Sequence, residues 1–151
     1  MIRLTFDPID PGGLLNEFSR GRLEVGAVAT FTGLARAEAG ATVALELEAY
    51  PGFTEAEIGK IAVQAKARFG LEDFAILHRV GKIAPGDPVV FVATAARHRR
   101  AAFEACDFLM DYLKSKAPFW KKEHGPNGAR WVEPRPEDHA DLTRWDKEIS
   151  K

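Results

Sequence analysis

Two lysines around a proline make the strongest chemical suggestion in this chain. Lys114 lies near the end of an amphipathic run, Pro118 stops that run, and Phe119 and Trp120 lead into Lys121 and Lys122. The stretch Met110–Glu123, MDYLKSKAPFWKKE, thus places Lys114 and Lys121 close together without putting them on one regular element. Lysines that only solvate a helix face need no such arrangement, whereas lysines converging on a bound anion do. Strand alternation puts Phe119 and Lys121 on one face and Trp120 and Lys122 on the other. A lysine against aromatic surface is partly desolvated, so its amine is pushed toward a range where it binds an anion, donates a proton or attacks an acyl carbon. Ordinary surface charge is the other reading, and the residues alone leave both open.

A second cluster is Arg97-His98-Arg99-Arg100, between an apolar run and a helical one. A helix N-terminus already carries free N–H groups and partial positive charge. Each fixed cation there costs about a few tenths of a kcal/mol. Breaking a local rule points to function, and converging cations with free N–H groups suit a phosphate. A solvated basic corner is the alternative. Arg36 follows Phe31-Thr32-Gly33 in a polar loop, a common place for binding residues. Cys106 falls on an apolar helix face and reads as core. His78, His98, His124 and His139 show no metal-ligand spacing, so neither a metal site nor a cofactor is expected. The chain has no GxxxxGK[ST] or GxSxG, so P-loop and serine-hydrolase chemistry lack support.

The elements that must position these groups can be read from periodicity. Ile2–Phe6 is a short strand; Pro11-Gly12-Gly13 breaks it before a helix over Leu14–Ser19. Gly26–Gly33 is a strand, Leu34–Gly40 a loop, and Thr42–Tyr50 a half-buried strand. Thr54–Phe69 is a helix, with Thr54 to Glu57 as a capping box and Gly70 as its stop. Phe74–Val80 and Val89–Ala95 are strands, the latter central, separated by the turn Pro85-Gly86-Asp87. Arg99–Lys116 is the second long helix, burying Ala102, Phe103, Cys106, Leu109, Met110 and Leu113. Phe119–Glu123 and Arg130–Glu133 form a hairpin whose loop is longer than the tightest class. Residues 134–151 read as a loosely docked tail around Leu142 and Trp145. Strands and helices mix without strict alternation, which favours an α+β fold.

Composition bounds the possibilities. A chain of 151 residues with 46% hydrophobic and 28% charged residues reads as one domain over 1–151 with an ordinary core. A net charge of −1 argues against a nucleic-acid partner and favours a small anion at a local basic patch. No apolar run approaches the roughly 20 residues of a membrane span. One cysteine makes no internal disulfide, which fits the cytoplasm.

The chain resembles the large, catalytic subunit of molybdopterin synthase, the MoaE family. The matching pieces are GAVATFTGLAR (Gly26–Arg36), LEAYPGFTE (Leu47–Glu55), LHRVGKIAPGD (Leu77–Asp87), ARHRRAAFEA (Ala96–Ala105), MDYLKSKAPFWKKE (Met110–Glu123) and ARWVE (Ala129–Glu133). The resemblance implies an α/β hammerhead-type single domain with a mixed or antiparallel sheet and two long helices. It implies a homodimer in which each large subunit binds a small ubiquitin-like carrier, giving a heterotetramer. The carrier's C-terminal Gly-Gly thiocarboxylate delivers sulfur to precursor Z (cyclic pyranopterin monophosphate), making the dithiolene of molybdopterin. Lys114 and Lys121 are then the catalytic lysines, Lys121 stabilising the tail's developing oxyanion and Lys114 orienting donor and substrate. His98 and Arg99 match an anion-binding pair and Arg36 a substrate-binding arginine. Leu34, Ala35 and Arg36 line one pocket with Lys121, Lys122 and Glu123, Glu123 pairing with the lysines. Arg130 reaches across the dimer. Two departures are Ala37-Glu38-Ala39-Gly40 after Arg36, where more polar residues belong, and Lys122 where arginine is common. A non-catalytic module binding a ubiquitin-like partner is the competing reading.

Overall fold

The computed structural model describes residues 1–37 and 44–146. In chain order the elements are β1 (Ile2–Thr5), α1 (Pro11–Ser19), β2 (Ala27–Leu34), β3 (Ala44–Ala49), α2 (Phe53–Phe69), β4 (Asp73–Arg79), β5 (Gly81–Ile83), β6 (Pro88–Ala96), α3 (Arg99–Ser115), β7 (Phe119–Gly125), β8 (Gly128–Val132) and α4 (Pro136–Thr143). They build two four-stranded sheets, ordered β1-β4-β6-β2 and β5-β3-β7-β8. β1 pairs with β4 in parallel, and the other pairings are antiparallel. This is the expected α+β arrangement with two long helices.

β6 is the inner strand that its apolar run predicts. Val90, Val92 and Ala96 face one core cluster, and Phe91, Ala93 and Ala95 face another. α2 and α3 cover the first face through Ile58, Ile61 and Ala65 and through Ala102, Cys106 and Leu109. Phe18 of α1 and Ile9 cover the second. Phe91, Ile58 and Leu109 are at most 1% exposed, and each such side chain contributes about 1.5–3 kcal/mol of burial. A third, small cluster of Ala35, Leu47 and Ile83 joins the two sheets, with Phe119 packed against it.

Several expectations need correction. α1 starts at Pro11 rather than after the glycines, because Asp10 accepts a hydrogen bond from the Gly13 N–H and proline suits a first helical turn. α2 is capped two residues earlier than expected. Glu55 accepts from the Gly52 N–H at 2.6 Å, while Thr54 Oγ1 accepts from the Tyr50 N–H and donates to Pro118 O. Phe103 is 61% exposed; it lies about 100° around the helix from Ala102 and misses the buried stripe. Gly125 pairs with Gly128, so the hairpin loop is only Pro126 and Asn127. Gly128 at φ 110 lets the chain turn that tightly. The short strand β5 carries no periodicity signal of its own.

Residues 134–146 pack through Trp145, while α4 itself buries no residue. Trp145 is 6% exposed and packs edge-on against Phe69 and Phe108. Its Nε1 donates to Asp111 at 2.7 Å, and Arg144 pairs with Asp107 and Asp111. The ends of two expected segments, residues 38–43 and 147–151, lie outside the described residues.

Candidate active site

Lys114 stands in the last turn of α3, and Lys121 is the third residue of β7. The link between them is short and fixed. Ala117 precedes proline and so leaves the helical region; its N–H still donates to Tyr112 O, at 3.2 Å. Phe119 N–H donates to Ala117 O at 2.8 Å. Thr54, fully buried, donates from Oγ1 to Pro118 O at 3.1 Å and pins the break to the start of α2. The chain therefore reverses at Pro118 and brings Lys121 back beside Lys114.

The electrostatics show that convergence. The Lys114 amine titrates below the ordinary lysine value, first because burial penalises its charge and then because of the Lys121 charge. Arg135 adds to the effect, and Asp138 opposes it. Lys114 is exposed by area, but its side chain lines a cavity of about 370 Å³ with Phe31, Phe103, Met110 and the acids Asp107, Asp111, Asp138 and Asp141. The open side and the lined side are different sides of one long side chain. Lys121 is half-buried. Among the described residues neither lysine has an ion-pair partner within reach. Two cations within electrostatic range of each other, with Asp138 offsetting part of their charge, suit an anion.

The loop after β2 reaches the same end of the fold. Ala35 is buried with Leu47, and Leu47 is the strand partner of Lys121. The Ala35 N–H donates to Asp87 O at 2.8 Å, and the Gly86 N–H donates to Ala35 O at 2.6 Å. Leu34 and Arg36 flank this anchored residue and are exposed. The Pro85-Gly86-Asp87 turn therefore acts as the clamp for the arginine loop.

Other expected members separate. Lys122 points to the opposite face of the hairpin, its Nζ 4.6 Å from the Trp131 ring centre, as strand alternation requires. Glu123 does not pair with the lysines. It is the cross-strand partner of Arg130 and binds it at 3.0 Å. His98 and Arg99 are exposed at the other end of α3, with no acidic residue in the first turn. Fifteen residues of helix separate Arg99 from Lys114, about 22 Å of axial rise. Within one chain the two cationic groups therefore lie at opposite ends of α3. Gly26 marks how closely β2 passes the basic corner, since a Cβ there would sit 2.2 Å from Arg97 O. Cys106 is core, its thiol pushed up to about 12 chiefly by burial.

Residues 4–116 match the family model described as MoaE protein. A Caulobacter vibrioides protein named molybdopterin synthase catalytic subunit is 66% identical over 148 residues, covering 98% of this chain and 99% of its own. The chain belongs to the MoaE family.

Solved MoaE-type structures agree in shape. A Burkholderia ambifaria protein described as a molybdopterin biosynthesis MoaE protein superposes with a TM-score of 0.82 at 46% identity, over 96% of this chain and 97% of that one. A molybdopterin synthase from Staphylococcus aureus gives 0.77 at 30% identity, over 85% and 94%. Among the described residues of this MoaE chain no group of three or more His, Cys, Asp or Glu is placed to hold a metal. No helix among them is long and apolar enough to cross a membrane.

Sequence reasoning passed over three residues at the MoaE lysine site. Thr54 reads as a helix cap but ties Pro118 in place. Asp138, in the supposed tail, acts on Lys114. His78 is buried at the end of β4, with its ring stacked on Phe119 at 4.1 Å. A histidine directly after the apolar run Phe74–Leu77 was the available signal for the last of these.

Proposed function

We infer that this MoaE chain is the catalytic subunit of a molybdopterin synthase. It moves sulfur from the C-terminal thiocarboxylate of a small ubiquitin-like carrier to precursor Z, forming the dithiolene, and it works in the cytoplasm. The convergence of Lys114 and Lys121, neither in an ion pair among the described residues, carries this reading. Donor tail and phosphorylated substrate are both anions, and converging lysines attract them. The tail's sulfur first bonds a side-chain carbon of precursor Z as an oxygen leaves that carbon, giving a thioester. Water then adds to the acyl carbon and negative charge develops on its oxygen. Lys121 stabilises that oxygen, Lys114 orients donor and substrate, and cleavage of the acyl C–S bond leaves the sulfur on the pterin and the tail as a carboxylate. Leu34, Ala35 and Arg36 form the neighbouring wall.

His98 and Arg99 belong to this site in a second copy of the chain. β2 is an outer strand of its sheet and pairs with β6 alone among the described residues. Its start lies beside the basic corner and its end beside the arginine loop. Two copies meeting antiparallel along β2, about a twofold axis, place the corner of one chain near the lysines of the other. Each large subunit then takes one carrier, giving a heterotetramer.

The test is sulfur transfer from thiocarboxylated carrier to precursor Z. Lys121→Ala is expected to bind carrier but lose transfer by about 100-fold, the scale of a lost oxyanion contact. Wild-type transfer by that variant refutes the catalytic assignment and leaves a carrier-binding module.

A further inference from the structure

We propose that His78 is a positioning residue of the lysine site: its ring, wedged between β4 and Phe119, sets the strand that carries Lys121 and keeps water from one side of Lys114. This deepens the reading of Lys114 and Lys121 given above and rests on it.

The geometry gives His78 one arrangement. Its Nδ1 lies 2.8 Å from Arg79 O. A carbonyl only accepts, so Nδ1 carries a proton. The ring is 8% exposed and lies nearly flat on Phe119, at 4.1 Å and 25°. β4 belongs to the first sheet and Phe119 opens β7 of the second, so this stack joins the two sheets. Lys121 follows Phe119 by two residues, on the same face of the strand.

The charges around it explain why the ring must stay neutral. Lys114 of α3 acts on it directly, and among the described residues no carboxylate pairs with it. Lys121 of β7 and Arg135 of α4 add positive charge near Lys114, and Asp138 opposes them. Burial first, and the Lys114 charge after it, hold the imidazole down to about 4, against the hydrogen bond to Arg79. A third cation here would repel both lysines. A small side chain here would admit water beneath Lys114 and free Phe119.

The experiment compares His78→Phe, His78→Ala and Phe119→Leu in the full chain. The Lys114 amine is titrated by NMR of ¹³C-methylated lysines, its signal assigned with Lys114→Arg. Single-turnover sulfur transfer is measured on the unmodified proteins with carrier and precursor Z. His78→Phe keeps a flat neutral ring and is expected to leave both readouts within about twofold of wild type. His78→Ala is expected to raise the Lys114 titration by on the order of one unit as water enters. It should also slow transfer by about 10- to 100-fold through misplacement of Lys121, with precursor affinity unchanged. Phe119→Leu moves both readouts the same way by less and serves if His78→Ala does not fold. An unmoved Lys114 titration in the opened variants overturns the proposal, as does His78→Phe behaving like His78→Ala. A moved titration with unchanged transfer keeps His78 in its place and instead removes the catalytic role of Lys114.

Discussion

Mixing two inactive proteins should restore activity. The perturbation is a pair of variants, one carrying His98→Ala with Arg99→Ala, the other Lys114→Ala with Lys121→Ala. Within a chain the two groups stand at opposite ends of α3, about 22 Å apart along its axis. A small phosphorylated pterin held by one group would not reach the other, so in the proposed dimer each complete site draws one half from each copy. A dimer of either variant then has no complete site. In a mixed dimer one site collects both damaged halves and the other collects two intact halves. Random exchange of equal amounts makes about half of the dimers mixed, so the mixture should show about a quarter of the wild-type activity per site. The assay is sulfur transfer to precursor Z after subunit exchange, with mixed dimers counted by native mass spectrometry. Abundant mixed dimers without activity would refute the reasoning, because one chain would then supply both halves.

Two further predictions concern the elements around Lys114. Trp145→Ala removes a buried ring held by Phe69, Phe108 and Asp111. It should cost about 3 kcal/mol in urea unfolding, and a loss below about 1 kcal/mol would mean that the segment after α4 contributes little. Lys114→Met should stabilise the protein at neutral pH by less than about 1 kcal/mol, since the side chain is partly open to solvent. The folded state holds the Lys114 proton less tightly than the unfolded chain does, with its ordinary value of 10.5. Stability therefore rises with pH through the window between the two values. The gain from methionine should be largest below that window and vanish above about pH 10.5, as unfolding midpoints across pH would show.

Much of the architecture is legible in the chain because local rules and tertiary packing agree. Gly70 ends α2 in the left-handed conformation at φ 65, and the apolar run Val89–Ala95 becomes an inner strand buried on both faces. Reading failed where a residue serves a distant partner. Thr54 fits a cap by spacing, yet its hydroxyl bonds Pro118, sixty-four residues away. Trp145 sits in a polar tail whose composition hides a docking contact made by α2 and α3.

By itself the sequence determined the residue types at the site and the break that puts Lys114 and Lys121 on different elements. It determined the cationic corner at His98 and Arg99 too, because these features depend on neighbours a few positions apart. Which cations lie near one another was decided only by the tertiary structure. Pairing of Leu47 with Lys121, and burial of Ala35 beside Leu47, carry the arginine loop to the lysines. The length of α3 carries His98 and Arg99 away from them. Strand alternation turns Lys122 outward, and cross-strand register gives Glu123 to Arg130. Distances of this kind come from register and helix length in three dimensions, and no short window of sequence contains them.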